Sequence, residues 1–411
     1  MAKVKPFRAY RPIKELVLDI AAPPYDVVNS DEARKLVGDN KYSFLRIDRG
    51  EINLPKNIDQ YDNVVYEYSR DLLDKMINQG IYIQDDKPCF YIYKEIMNGK
   101  SQTGLVICAS VEEYMTNKIK KHENIRDDKT IDRIKHIEYC NAHTGPIFII
   151  YRENISITDI INKWTHNEPL YNFITEDDIS HIVWKIDDDR DIELLIKLFE
   201  DVKELYIADG HHRSAAASAV ATKNKKENNE EDEINYFLAI AYPDNDVKVL
   251  EYNRTVKDLN GYTKEEFFEE VSKRFNITKS ENNRAVYPKK KRSFGMYIDR
   301  EWYLLELKDN IYVGDSGIDS LDVSIIQNNL LSPILGIEDP TKSDRIDFIG
   351  GIRGLDELER RADTDMTVSF SLFPVQVSDI MDIADKGEIM PPKSTWFEPK
   401  PRSGIFIHKF R

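Results

Sequence analysis

Apolar side chains recur every three or four residues at Tyr61, Val65, Tyr68, Leu72 and Met76, and the pattern ends at Gly80. This spacing lays one apolar stripe along a helix, and the glycine provides a C-terminal stop. Beyond it the period shortens. The segments Cys89–Ile96 and Thr103–Tyr114 are rich in β-branched and aromatic residues, and Asn98-Gly99 between them predicts a tight hairpin. Helix and strand then alternate. A charged helix is expected from Asp127 to Tyr139, strands at Pro146–Tyr151 and Ile182–Ile186, and a helix at Ile192–Phe199. A short strand at Leu205–Ala208 and a helix at Ser214–Ala221, almost pure helix former, come next. The run from Lys223 to Glu233 is charged and reads as a solvated loop. Tyr236–Tyr242 and Val247–Tyr252 read as a strand pair, and Thr263 with Glu266 forms a capping-box pattern. The last third holds a hairpin, Phe294–Ile298 with Trp302–Leu307 through Asp299-Arg300, and helices near Leu321–Leu331 and Val377–Lys386. Near the start, Ser30 is placed to cap a short helix stopped by Gly38. The expected class is α+β.

Length changes this picture first. At 411 residues the chain exceeds what one core usually organises. Three segments are expected: residues 1–115, a catalytic core at 116–260, and a C-terminal α+β region at 261–411. Hydrophobic residues make up 41% and charged residues 32%, an ordinary folded composition. The formal net charge of −15 argues against non-specific binding to nucleic acid or anionic membrane, because phosphate affinity comes from clustered Lys and Arg. Three cysteines, Cys89, Cys108 and Cys140, form no CxxC pair, so neither a zinc ribbon nor a dithiol centre is encoded. With no apolar run near 18 residues and no apolar signal core at the start, a cytoplasmic location is expected.

Three segments carry candidate chemistry. In the stretch from Leu205 to Ala216, Asp209-Gly210-His211-His212-Arg213 sits at a strand–turn–helix junction. Gly210 permits backbone angles closed to other residues, and the helix start offers free N–H groups and a partial positive charge to a phosphate. His211, His212 and Arg213 add side-chain donors there, and Asp209 is a candidate metal ligand or hydroxyl-orienting group. The plainer reading makes Asp209 a helix cap and the histidines surface residues. The second segment is Lys120-Lys121-His122-Glu123, where Glu123 is a candidate general base among cations, or part of a solvated turn. The third, Met390 to Phe397, joins Lys393, Ser394 and Thr395 to Trp396 in a proline-stiffened loop. Such a loop suits a small carboxylate, or serves as a structural turn burying Trp396.

Together these segments resemble the free L-serine kinases of the ParB/sulfiredoxin superfamily. Asp209-Gly210-His211-His212-Arg213 is similar to their fingerprint, Lys120-Lys121-His122-Glu123 to their Lys-Pro-His-Glu segment, and Pro392-Lys393-Ser394-Thr395 to their Pro-Lys-Thr-Thr loop. The chain also resembles a large bacterial and archaeal family known as a domain of unknown function, through Pro23-Pro24-Tyr25-Asp26, His122-Glu123 with Asp132-Arg133, Lys393 to Phe397, and Pro399-Lys400. The resemblance implies a ParB/sulfiredoxin-like core with added N- and C-terminal segments. It implies a kinase making O-phospho-L-serine, with Glu123 as base and Asp209 as catalytic and Mg²⁺ ligand. Lys121, His122, Gly210, His211, His212 and Arg213 would hold the donor, and Lys393, Ser394 and Thr395 the serine. Lys121 stands where those kinases have proline, and Trp396-Phe397 where they have Arg-His, so the donor stays open among ATP, ADP and pyrophosphate. No GxxxxGK[ST] loop is present. The other readings are a nucleotide-binding or DNA-associated clamp, a phosphoserine-binding protein without Glu123 chemistry, and a sulfiredoxin-like reductase. The last needs a cysteine where His211 stands.

Overall fold

The structure, a computed structural model, describes residues 2–224, 229, 232–314 and 316–410. Two units result: Met1–Val247 joined by Pro399–Arg411, and Lys248–Glu398. In the first, nine strands build one mixed sheet. They are β1 (Val4–Lys5), β2 (Phe90–Met97), β3 (Lys100–Ser110), β4 (Ile119–Lys120), β5 (Ile147–Tyr151), β6 (Tyr171–Ile174), β7 (Ser180–Ile186), β8 (Leu205–Asp209) and β9 (Tyr236–Pro243). Their order is β4-β8-β5-β9-β3-β2-β7-β6, with β1 also on β3. The expected hairpin joins β2 to β3: Met97 faces Lys100, while Asn98 and Gly99 take φ of 52° and 73°, the left-handed pair of a two-residue turn. Ser110 then ends the strand. Its hydroxyl accepts from the Glu113 N–H and starts a short helix, Val111–Met115, where the sequence suggested continued strand.

Three helices frame the candidate residues. The first, α1 (Asn63–Asn78), begins where the Asp62 carboxylate accepts from the Val64 N–H, and ends before Gly80 at φ 72°. α2 spans Asp127–Cys140 and α3 spans His211–Asn224. The alanines of α3 explain its place. Ala215, Ala217 and Ala221 join the core of the sheet with Ile149, Ile207 and Ala239, while Ala216 and Val220 pack against Ile137 of α2. Small side chains on two faces let the helix lie close to both neighbours.

The expected boundary at 115/116 is not a boundary in this sheet. β3 pairs antiparallel with β9 from Tyr236↔Ser110 to Ala241↔Leu105, so residues on either side share one core. Two local expectations also change. Asn29, not Ser30, caps the helix Ser30–Val37, in a capping box with Glu32, because Ser30 donates to Glu51 instead. Val247–Tyr252 does not pair with β9: Val249–Leu250 pairs with Trp396–Phe397, within the second unit. The loop expected from Lys223 to Glu233 lies partly outside the described residues. Of its ends, Lys223 belongs to α3 and Glu233 to a 3₁₀ turn, Glu233–Asn235.

The second unit holds a six-stranded sheet whose pairings are all antiparallel. Its strands are β10 (Tyr252–Val256), β11 (Phe275–Lys279), β12 (Ser293–Ile298), β13 (Glu301–Leu307), β14 (Ile346–Gly350) and β15 (Val368–Leu372), in the order β11-β13-β12-β15-β10-β14. The β12–β13 hairpin turns through Asp299 and Arg300, both at positive φ, as the sequence indicated. Thr263 and Glu266 form the expected capping box on the helix Lys264–Ser272. Asp322–Ile326 runs into a π-helical turn, Gln327–Leu331. No described helix is long and apolar enough to cross a membrane.

Candidate functional site

Two of the three candidate segments meet in the first unit, and a short parallel pairing brings them together. β4 lies beside β8 with Ile119 opposite Leu205 and Lys120 opposite Tyr206. Chains leaving parallel strands exit at the same end, so Lys121-His122-Glu123 emerges beside Asp209-Gly210-His211. Gly210 turns at φ 98°, and α3 starts at once with His211. A Cβ on Gly210 would lie 3.1 Å from Arg213 Nε, so both the backbone angle and the space call for glycine.

At this junction Glu123 Oε2 lies 3.5 Å from His211 Nδ1, with half of the Glu123 side chain exposed. The His122 main-chain N–H donates to His211 Nε2 at 3.5 Å. That geometry leaves the proton of a neutral His211 on Nδ1, facing the carboxylate. Burial holds His211 well below the usual histidine range, and the neighbouring His122 reinforces it. His122 packs edge-on to His211 at 4.5 Å between ring centroids. It is 1% exposed, and burial pushes it down to about 4. His212 is half-buried, and its Nε2 accepts from the Arg126 N–H at 3.0 Å. Lys121 lies 3.9 Å from the Tyr114 ring centroid, and burial there lowers its pKa.

Asp209 is arranged differently from the sequence expectation of a metal ligand. Its Oδ1 accepts from Lys400 Nζ at 2.5 Å and its Oδ2 from Arg213 Nη2 at 2.7 Å. Burial pushes the carboxyl up, yet the two cations more than offset it and hold Asp209 below the usual carboxylate range. Arg213 also donates through Nη1 to the Pro146 carbonyl, and among the described residues its buried Nε has no partner. Its guanidinium therefore fastens β8 to the start of β5. It is not turned outward as a phosphate clamp. Both Asp209 oxygens are thus engaged by cations, and no group of three or more His, Cys, Asp or Glu side chains that could hold a metal occurs among the described residues.

Lys400 and Tyr25 are functional candidates that the sequence reading left out of the site. Both stood in plain view, in Pro399-Lys400 and Pro23-Pro24-Tyr25-Asp26. The charge of Asp26 acts on both His212 and Lys400. The Tyr25 ring lies 3.9 Å beneath the Arg133 guanidinium, which donates to Asp132 at 2.9 Å. Arg133 also sits near Asp48, a buried carboxyl pushed up by desolvation that accepts from Thr144 at 2.9 Å. Two small pockets flank this group and share Tyr25, Asp48, Arg133 and His136; Arg213 lines one of them.

Lys393, Ser394 and Thr395 belong to the second unit. Lys393 takes φ 58° and its Nζ lies 5.6 Å from the Tyr252 ring centroid. Ser394 is buried and donates to the Pro391 carbonyl at 2.5 Å, while Thr395 is half-buried. Trp396 follows in the short pairing with Leu250, and a Cβ on Gly350 would come within 2.7 Å of its ring.

Comparison with known proteins adds a family. A family model described as "Protein of unknown function (DUF1015)" matches residues 4–324, most of the chain, and the chain belongs to that family. No curated protein matches. Among solved structures, the chain is similar to a free serine kinase in complex with AMP, at 14% identity and a TM-score of 0.33, covering 74% of this chain and 91% of that one. It is similar to SbnI with a C-terminal truncation from Staphylococcus aureus, at 11% identity and a TM-score of 0.38, covering 73% and 85%. A conserved hypothetical protein from Pyrococcus furiosus gives 13% identity and a TM-score of 0.34, covering 76% and 96%. At such scores the likeness carries no functional conclusion.

Proposed function

We propose that this chain, a member of the DUF1015 family, is a cytoplasmic phosphotransferase that converts free L-serine to O-phospho-L-serine, with a ParB/sulfiredoxin-like first unit. The observation that supports this most is the meeting of Glu123 with His211 at the start of α3, 3.5 Å apart. A carboxylate beside a neutral imidazole N–H, at the positive end of a helix, combines a proton acceptor with a place for phosphate oxygens.

The chemistry runs as an in-line displacement. Glu123 takes the proton of the serine hydroxyl as its oxygen attacks the terminal phosphorus of ATP, ADP or pyrophosphate. One P–O bond forms, the bond to the leaving phosphate breaks, and the leaving group departs with its electron pair. His211 holds the Glu123 carboxylate in place through Nδ1–H. The main-chain N–H groups after Gly210, with His212 and Lys121, receive the phosphate oxygens. Asp209, gripped by Lys400 and Arg213, fixes the strand end from which this turn departs.

The test is to incubate the protein with L-serine and each donor in turn and to look for phosphoserine by mass spectrometry. Glu123→Gln should lower turnover by ~10²–10⁴ while serine and donor affinities stay within a few-fold. Near-normal turnover in that variant removes Glu123 from the role of base. Binding of phosphoserine with no transfer from any donor would make the protein a phosphoserine receptor instead.

A further inference from the structure

In the first unit, Arg133 and Asp48 carry opposite charges, are 7% and 4% exposed, and line the same two small pockets. Among the described residues they nevertheless form no ion pair with each other. Arg133 turns Nε and Nη2 to Asp132, at 2.9 and 2.8 Å, and its hydrogen bonds to Asp48 reach only the main-chain carbonyl, at 3.5 Å. That distance is at the far edge of a hydrogen bond, so the Nη1 edge of a buried guanidinium is left weakly satisfied. Buried charges are otherwise paired closely, because an uncompensated one is costly.

Asp48 is the complement. Its Oδ1 accepts from the Thr144 hydroxyl at 2.9 Å, and the Ser403 hydroxyl also bonds its carboxylate. Both donors are neutral. His136 Nε2 lies 3.5 Å from Oδ1, but burial holds that imidazole well below the usual histidine range, and so uncharged. Burial in turn pushes the Asp48 carboxyl up, as expected where the close partners carry no charge. Asp132 is already engaged by Arg133 and by the Tyr66 hydroxyl, which donates at 2.7 Å. Tyr25 completes the wall. Its ring centroid lies 3.9 Å from the Arg133 guanidinium carbon, and among the described residues its hydroxyl has no hydrogen-bond partner.

We propose that this slot binds a compact α-amino acid as its zwitterion, with the carboxylate on Arg133 Nη1 and the Tyr25 hydroxyl and the ammonium on Asp48. Two opposite charges held apart around a pocket match a ligand that carries both charges on one carbon. A simple anion meets the Asp48 carboxylate, and a simple cation meets Arg133, so a ligand of one sign finds a repelling wall. A zwitterion finds a partner at each end, and charge-assisted hydrogen bonds are about twice as strong as neutral ones. The small pockets suit a side chain no larger than that of alanine or serine. Binding of this kind needs neither phosphoryl transfer nor Glu123, so it stands or falls apart from the phosphotransferase reading.

The probe is L-alanine, which carries both charges but no hydroxyl to phosphorylate, titrated calorimetrically into the full chain. Wild type should bind it. L-Alaninamide and N-acetyl-L-alanine each lack one charge and should bind at least about 10-fold more weakly, as should the bulky L-phenylalanine. Asp48→Asn should lower alanine affinity by about 10- to 100-fold, and Tyr25→Phe by about 3- to 10-fold. Tyr25→Phe removes a single hydroxyl and keeps the test decisive if Asp48→Asn fails to fold. Glu123→Gln should bind alanine within about twofold of wild type, so an absence of phosphoserine from every donor would sink the kinase reading and leave this site standing. No alanine binding by wild type, or equal binding of alanine and its two one-charge analogues, overturns the proposal. So does unchanged alanine affinity in folded Asp48→Asn or Tyr25→Phe, and neither result touches the kinase reading.

Discussion

Replacing Asp209 by asparagine removes one negative charge and almost no volume. In the folded protein that charge is shared between Lys400 Nζ at 2.5 Å and Arg213 Nη2 at 2.7 Å. Lys400 and Arg213 are 15% and 12% exposed, Asp209 20%, so little water remains to take over the solvation of two cations. Breaking a buried ion pair from one side costs roughly 3–5 kcal/mol, and the partial exposure of Asp209 places this case near the lower end, about 3 kcal/mol. For a unit of this size about 2–4 °C is lost per kcal/mol, so a fall in Tm of about 6–12 °C is expected. Denaturant unfolding at pH 7 of wild type, Asp209→Asn, Lys400→Met and the double variant measures it directly. The double variant should lose less than the two singles combined, by more than about 1 kcal/mol, because the second change removes the cation whose contact with the Asp209 charge the first already abolished. The pH dependence has a fixed sign. Asp209 ionises below its unfolded value of about 3.9, so its contribution is complete above that pH and fades as pH falls further. A loss under about 1 kcal/mol for Asp209→Asn, or strict additivity in the cycle, would refute the claim that this carboxylate binds the strand end together.

Two further outcomes are expected from other groups. His122, pushed down to about 4 by burial, should make stability fall as pH drops from about 6.5 to about 4, by about 3 kcal/mol in total, and His122→Phe should flatten that slope in pH-dependent melts. Removing both hydroxyls of the acceptor loop, Ser394→Ala with Thr395→Ala, should raise serine KM more than donor KM; since Ser394 already bonds Pro391, a drop in Tm should accompany it.

Much of the local structure was legible because it rests on neighbours in sequence. The stripe from Val65 to Met76, the left-handed pairs Asn98-Gly99 and Asp299-Arg300, and the Thr263–Glu266 box all became the elements they imply. What was not legible depends on partners far along the chain. β4 is two residues long, too short for any periodicity, yet its pairing with β8 is what sets Glu123 beside His211. Lys400 sits 191 residues from Asp209, and nothing local marks it as the partner of that carboxylate. The same absence left Asp209 open: a carboxylate before a helix reads equally as metal ligand, cap or ion-pair acceptor until its cations are located. Arg213 stayed open for the matching reason, since an arginine at a helix start resembles a phosphate clamp whether its fork faces outward or back into the sheet.

On the phosphotransferase reading, this placement of Arg213 would move the burden of phosphate binding onto the backbone. If Nη1 and Nη2 are held by Pro146 and Asp209, the groups left for the donor are the N–H groups at the start of α3, with His212 and Lys121. Those N–H groups point usefully only while residue 210 keeps φ near 98°, an angle that side-chain-bearing residues rarely adopt. Gly210→Ala therefore acts twice. It strains the turn by about 1–3 kcal/mol, and its methyl meets Arg213 Nε at 3.1 Å and Cζ at 3.2 Å, pushing the guanidinium off Asp209. The donor KM should rise by about 10-fold or more, the scale of losing one or two charge-assisted hydrogen bonds, while serine KM changes little. Arg213→Lys separates the two effects. It relieves the crowding at Gly210 and keeps one cation on Asp209, so it should cost stability and leave donor KM within a few-fold. If instead Arg213→Lys raises donor KM as much as Gly210→Ala does, the guanidinium binds phosphate after all, and the backbone account of this turn fails.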